Sequence, residues 1–295
     1  MGTSTLAAES LLPEAELARV AKILARYLAG RQPAATGSQT VRRVATQGLD
    51  FLDFREYQHG DDARSIDWRA SARSRGVQVR RYCADVASDW YLCVDSSASM
   101  GIDGGANWLL ARKLAAALSY ILLHLGHRVG VLLFSSEIDA ACAPGRGYPQ
   151  YARILRTLHT HGNRAGGGGS DPGACAAVVG RHHSLMIISD FLAEDAMVSA
   201  LARLRASQRQ LHLFQLDGAP DWPPPDGSSL LLEDVESGAV RLCGDTAAAL
   251  TEASVRLAQL QRDLSAWGRR FNIPHTLCHA DDNWRELLLR HFIEA

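Results

Sequence analysis

From residue 88 onward the chain alternates short, unbroken apolar runs with longer stretches whose apolar residues recur every third or fourth position. The runs at 90–95, 128–135, 184–190, 211–217 and 273–279 predict β-strands. The helical spacing of 107–126, 149–161, 172–181, 194–208 and 247–271 predicts helices between and after them. A shorter strand is predicted near 138–143, and 229–243 reads as a hairpin turning at Glu236-Ser237-Gly238. Strand cores such as Gly130-Val131-Leu132-Leu133-Phe134 and Leu185-Met186-Ile187-Ile188 do not alternate with polar residues, which is the pattern of strands buried on both faces. Together these features specify an α/β fold with a mostly parallel sheet covered by helices on both faces. Upstream, 13–30 has helical spacing through Leu17, Val20, Ala21, Leu24, Tyr27 and Leu28, 32–40 is polar and turn-rich, and 41–82 lacks a clean period. The expected organisation is an N-terminal helix and linker (1–40), an Arg/Asp-rich segment packed on the main domain (41–87) and the sheet domain (88–295).

Charge and cysteine content exclude several function classes. The 295 residues carry a net charge of −1, so no global field draws the chain to nucleic acid or to an acidic membrane. Nine Arg lie between residues 41 and 82, but six acids are interleaved and no aromatic ladder accompanies them, which favours ion pairing over a nucleic-acid patch. Six Cys are scattered without a CxxC pair, several inside apolar runs, as expected of small core residues in a reducing compartment. The N-terminus has neither a basic nor an apolar leader region, and the most apolar helix, 107–126, carries Arg112, Lys113 and His124. A cytoplasmic protein without a membrane span is expected.

The candidate chemistry lies at strand ends. Asp95-Ser96-Ser97-Ala98-Ser99 closes the first strand of the sheet domain. Alternate residues of an extended segment point the same way, so Asp95, Ser97 and Ser99 can converge if the loop curls. Small oxygen ligands suit a hard divalent cation such as Mg²⁺ or Mn²⁺. Asp190 closes a second strand, in Ile187-Ile188-Ser189-Asp190-Phe191, and Ser170 sits in the glycine-rich loop 166–173 just before a predicted helix. In an open parallel sheet, ligands bind outside the carboxyl ends of the strands. The alternative for the first motif alone is a helix cap with a strand-end turn, since Asp and Ser favour both.

The DxSxS run, the Gly-rich loop ending in Ser170 and the Ser189-Asp190 pair together resemble the metal-ion-dependent adhesion site (MIDAS) of von Willebrand factor A domains, a Rossmann-like fold. Asp95, Ser97 and Ser99 match the signature, Ser170 stands where that family usually has Thr, and Asp190 matches the later Asp. The resemblance implies that Ser97, Ser99 and Ser170 contact the metal while Asp95 and Asp190 act through water or hydrogen bonds. Neutral ligands would leave the cation undercompensated and ready to accept an Asp or Glu from a partner protein. The preceding segment, Arg55-Glu56-Tyr57-Gln58-His59-Gly60-Asp61-Asp62-Ala63-Arg64-Ser65-Ile66-Asp67-Trp68 through Arg73, resembles the signature of the bacterial family called domain of unknown function fifty-eight. That family joins such a segment to a von Willebrand A-like domain and is associated with MoxR-type AAA ATPases. The resemblance therefore implies an adaptor that works with such an ATPase in protein assembly or remodelling.

Asp61, Asp62 and Asp67 match Arg55, Arg64 and Arg73 in number, so the segment reads either as a structural salt-bridge network or as a partner-binding surface that includes Tyr57, Gly60 and Trp68. Enzyme signatures are lacking: the loop 166–170 has no GK[ST] ending, and neither GxSxG nor HExxH occurs. A non-enzymatic protein is expected. The alternatives are a metal-assisted phosphatase with Asp95 as nucleophile and a structural scaffold whose metal site is empty.

Overall fold

The structure is a computed structural model, and it describes residues 11–30, 50–57, 66–74, 76–83, 89–162, 169–181, 183–192, 194–208, 210–217, 230–244 and 246–293. The linker 32–40, Gly60, Asp61, Asp62, Arg64, the glycines 166–168, His182 and the Pro-rich loop 220–227 lie outside these residues. The chain divides into two compact units, one of residues 33–87 and the other of 1–32 with 88–295.

In the smaller unit, β1 (Asp50–Glu56) and β2 (Gln78–Cys83) pair antiparallel, and the short helix α2 (Trp68–Ser71) lies between them in sequence. No hairpin is predicted from this stretch. Charged residues such as Asp53, Arg55, Arg80 and Arg81 replace the apolar half of a strand pattern, so the period is hidden.

The larger unit carries α1 (Glu14–Gly30) and then β3 (Asp89–Asp95), α3 (Ala106–His124), β4 (Arg128–Phe134), β5 (Ile138–Gly145), α4 (Gly147–Thr160), α5 (Cys175–Val178) and β6 (Ser184–Ser189). It continues through α6 (Glu194–Ser207), β7 (Gln210–Leu216), β8 (Leu230–Glu233), β9 (Val240–Cys243), α7 (Thr246–Phe271), β10 (His275–Cys278) and α8 (Trp284–Ile293). Six strands form one sheet in the order β10-β7-β6-β3-β4-β5, all parallel except the edge strand β5. This is the α/β fold expected from the sequence. From β3 the chain moves outward through β4 and β5, then returns to the other side of β3 with β6, so the order reverses between β3 and β6. A crevice opens outside the strand ends at such a reversal.

Alternate strand residues enter two cores. Trp90, Leu92, Val94, Val131, Leu133, Met186 and Ile188 pack with α1, α3, α4 and α8 on one face. Tyr91, Cys93, Leu132, Phe134, Leu185 and Ile187 pack with α5, α6 and α7 on the other. The buried stripe Leu17, Val20, Ala21 and Leu24 joins α1 to the first core, and Glu16 pairs with Arg285 of α8 at 3.5 Å. Cys93, Cys142, Cys175 and Cys278 are buried thiols. After α3, Gly126 takes φ +86°, a left-handed stop that a side chain would strain. Among the described residues no helix is long and apolar enough to cross a membrane.

In the larger unit two elements depart from the sequence pattern. The predicted helix 172–181 is instead a 3₁₀ turn (Pro172–Ala174) followed by the single-turn α5, because Gly173, Gly180 and the β-branched pair Val178-Val179 all weaken a helix there. The terminal α8 is an addition; its buried face includes His291 beside Trp284, Leu287 and Leu288.

That histidine belongs to a buried polar chain. His212 Nδ1 and His291 Nε2 lie 2.8 Å apart, His291 Nδ1 meets Thr276 Oγ1 at 2.8 Å, and His275 bridges Gln215 and Ser265. Burial pushes His212 down to about 4, and burial with Arg269 does the same for His275. His291 is lowered by burial and by its two histidine neighbours. The unfolded chain takes up these protons near the ordinary value of about 6.5, so the stability these rings confer is complete above that pH and is lost as pH falls through about 4. NMR titration should show His212 and His275 neutral at pH 5.5 with midpoints near 4; midpoints above 6 would contradict the buried network.

Candidate functional site

The strand ends at the sheet reversal assemble a cluster of hydroxyls and carboxylates. Asp95, the last residue of β3, is fully buried. Beyond it the chain curls into a 3₁₀ turn (Ala98–Gly101), which folds the two serines back toward the aspartate. Ser97 N–H donates to Asp95 Oδ1 at 2.9 Å, and the Ser97 and Ser99 hydroxyls lie 3.1 Å apart. Ser96 faces the other way and pins the loop to the neighbouring strands: its N–H donates to the Phe134 carbonyl at 2.7 Å and its hydroxyl to Asp139 Oδ2 at 2.7 Å.

Two more segments close on Asp95. The Ser170 hydroxyl donates to Asp95 Oδ2 at 2.5 Å, and the Ser189 hydroxyl, at the end of β6, donates to the same oxygen at 2.5 Å. The loop bearing Ser170 is tied to the β4 end through Asp171 N–H, which donates to the Ser135 carbonyl at 2.9 Å. Ser189 also accepts from Phe191 N–H at 2.9 Å and so holds the turn after β6. Phe191 has φ +55°, a left-handed conformation that costs a non-glycine residue about 1–3 kcal/mol, and its side chain is buried. This strained turn presents Asp190. All five predicted site residues, Asp95, Ser97, Ser99, Ser170 and Asp190, are thus buried in one cluster.

Electrostatics set this cluster apart from an ordinary polar core. Burial raises the Asp95 carboxyl, and the hydrogen bonds from Ser170, Ser189 and Ser97 partly offset that rise. Asp190 is pushed up to about 7, first by burial and then by the charge of Asp95. The Ser99 hydroxyl and Leu192 N–H partly offset that rise; Oδ1 accepts a long bond of 3.3 Å from Leu192 N–H, while Oδ2 is buried without a hydrogen-bond donor. A third carboxylate, Glu236, arrives from the turn between β8 and β9; burial, Asp95 and Asp234 raise it, while Ser99 moderates the rise. Among the described residues no cationic side chain offsets these three acids.

Three hydroxyls beside two buried carboxylates, one with an unpartnered oxygen, fit a hard divalent cation. Among the described residues no three His, Cys, Asp or Glu side chains stand together as a metal cage. The cluster also takes in Ser189 and Glu236, which are not among the five predicted site residues. Ser189 is half of the Ser-Asp pair and was legible from its neighbour, whereas Glu236 signalled only a turn.

The signature segment falls in the smaller unit. Asp67 is buried and caps α2, accepting from Arg69 and Ala70 N–H at 2.8 and 3.0 Å. The Ser71 hydroxyl then accepts from Gln78 N–H at 2.8 Å, fixing the helix to β2. Trp68, by contrast, is 70% exposed, and Tyr57 and Arg73 are also at the surface. Arg55 lies on β1, and Gly60, Asp61, Asp62 and Arg64 fall outside the described residues.

Comparison with known proteins places the chain. The family described as "Protein of unknown function DUF58" matches residues 53–263. Uncharacterized proteins of Mycobacterium bovis and Mycobacterium tuberculosis are 28% identical over 251 residues, 82% of this chain and 78% of each relative. An aerotolerance-related membrane protein of Bacteroides fragilis, a solved structure, is 18% identical with a TM-score of 0.40, over 70% of this chain and all of that one. The conserved hypothetical protein BatB of Bacteroides thetaiotaomicron is 13% identical with a TM-score of 0.40, over 70% of this chain and 98% of that one. At that level of likeness the description of the fold rests on the sheet itself.

The raised Asp190 carboxyl has a definite thermodynamic sign. The folded chain holds its proton up to about pH 7 while the unfolded chain loses it near the ordinary 3.8, so this group removes stability progressively as pH rises between those values. In EDTA, Asp190→Asn should stabilise the protein at pH 8 by roughly 2–4 kcal/mol, and by much less at pH 4, in urea denaturation. Destabilisation at pH 8 would show that the Asp190 carboxylate is satisfied by the protein alone.

Proposed function

The chain belongs to the DUF58 family, and we propose that it is a non-enzymatic, metal-dependent protein-binding adaptor with a von Willebrand A-like site. The observation that carries this reading is the buried Oδ2 of Asp190, which has no hydrogen-bond donor, in a cluster where the charge of Asp95 acts on Asp190 and the Ser97 and Ser99 hydroxyls lie together. Leaving buried charge uncompensated is costly, so such a cluster calls for a cation. Ser97, Ser99 and Ser170 would hold Mg²⁺ or Mn²⁺, with Asp95 and Asp190 balancing its charge. The bound ion would supply an electrophilic position for a carboxylate. The chain's own residues orient that position: Ser96 anchors the loop and Ser189 fixes both Asp95 and the Asp190 turn.

The state of Asp95 supports binding over turnover. It is fully buried, with Oδ2 accepting two serine hydroxyls and Oδ1 a backbone N–H, so neither oxygen is disposed to attack a phosphorus atom. The partner we propose is a protein presenting an Asp or Glu, and the family resemblance favours a MoxR-type AAA ATPase. A pull-down from host lysate tests this in Mg²⁺ and in EDTA, with Asp95→Ala alongside. Retention of a MoxR-type ATPase by the wild type in Mg²⁺ alone is expected. Identical profiles in all three samples would contradict a metal-dependent grip.

A further inference from the structure

The hairpin formed by β8 and β9 stands outside the main sheet, yet its turn delivers a carboxylate to the site. The strands pair from Leu230 with Cys243 to Glu233 with Val240. Asp234 builds the turn: its Oδ1 accepts from Glu236 N–H at 3.0 Å, its Oδ2 from the Ser237 hydroxyl at 2.6 Å, and its carbonyl from Gly238 N–H at 2.7 Å. Gly238 completes the turn at φ +68°. The backbone around Glu236 is therefore set by Asp234 and Gly238, and the Glu236 side chain is left to do something else.

That side chain reaches the hydroxyl cluster. Its Oε2 lies so close to Gly169 that a side-chain carbon built there would stand 2.8 Å away. A side chain on the residue before Ser170 would push the carboxylate aside from this position. The Ser99 hydroxyl favours its charged form, Asp95 raises its carboxyl, and Glu236 in turn raises Asp190. An acid among acids needs a reason, and Asp190, whose carboxyl Glu236 raises, has an Oδ2 buried without a donor, so the cluster is short of positive charge. Leu231, Val235, Val240 and Leu242 of the hairpin are exposed, so burial of these side chains does not hold the turn in place.

We propose that Glu236 is an in-chain carboxylate that occupies the open face of the Ser97, Ser99 and Ser170 cation site, and that a partner's Asp or Glu must displace it. This rests on the metal-dependent reading of the site. The hairpin is then a built-in competitor: it shields the cation until a better carboxylate arrives, and it sets a threshold that weak acidic ligands do not pass.

Mn²⁺ is the probe, with acetate as a minimal competing carboxylate, and the full chain is used throughout. Water-proton relaxation measures both Mn²⁺ affinity and the water on the bound ion. Glu236→Gln should bind Mn²⁺ roughly 10-fold more weakly, with higher relaxivity per bound ion because water takes the vacated place. Acetate should then lower that relaxivity in the variant at concentrations that leave the wild type unchanged. Glu236→Asp, which retracts the carboxylate by one methylene, should shift in the same direction and guards against a misfolded Gln variant. Equal affinity, relaxivity and acetate response in wild type and both variants would overturn the proposal while leaving the metal site standing. Absence of saturable Mn²⁺ binding in the wild type and in both variants would overturn the site and this proposal together.

Discussion

The buried carboxylate of Asp95 is the constraint around which the rest of the site is arranged. It sits where the strand order reverses, at the end of the strand flanked by both halves of the sheet. An ionised group in such a place must be satisfied from every side. Three chain segments do so: Ser97 from its own loop, Ser170 from the glycine-rich loop and Ser189 from the end of β6. The same bonds that satisfy Asp95 set the spacing of the hydroxyls and the direction of the Asp190 turn. Fold and site are one construction here, because moving any of the three segments would leave the aspartate underbonded.

The two-sided core makes this precision affordable. Every strand near the site is apolar on both faces, so the strand ends are held rigidly and the loops need only short reaches. Ser96 and the Asp171 backbone extend the restraint to the β4–β5 side. Against that rigid frame, the positive φ of Phe191 is strain stored where Asp190 is presented. The hairpin carrying Glu236 is built differently, from turn hydrogen bonds with exposed apolar side chains, and it meets the site through one side chain.

The sheet was legible in the sequence because its strands are buried on both faces, which writes them as apolar runs that helices of this length do not produce. The β1–β2 pair was not legible, since its charged residues mask the period of two. Helix α8 was obscured by His291, a polar residue that its hydrogen bonds to His212 and Thr276 allow into the core. Within the site, Asp95, Ser97 and Ser99 could be read from local alternation, and Ser170 and Asp190 from their places at other strand ends. Ser189 is legible as the first half of the Ser-Asp pair, but its bond to Asp95 is set by the fold. Glu236 was out of reach of sequence reasoning, because only the fold brings a turn residue from 230–243 against Gly169.

The DUF58 signature segment follows a separate logic. Asp67 is used within the segment to cap α2, and Ser71 ties that helix to β2. Trp68, next to the cap, is left at the surface. One acid of the segment thus serves to hold a small local structure together through backbone N–H groups. In the other unit, the cation site we propose is made of serine hydroxyls and two buried aspartates. Electron paramagnetic resonance of Mn²⁺ titrated into the wild type, Ser97→Ala and Ser170→Ala tests it most directly. One saturable ion per chain is expected in the wild type, with loss or marked weakening in each serine variant. Saturable binding that neither substitution changes, or no binding to the wild type at all, would contradict it.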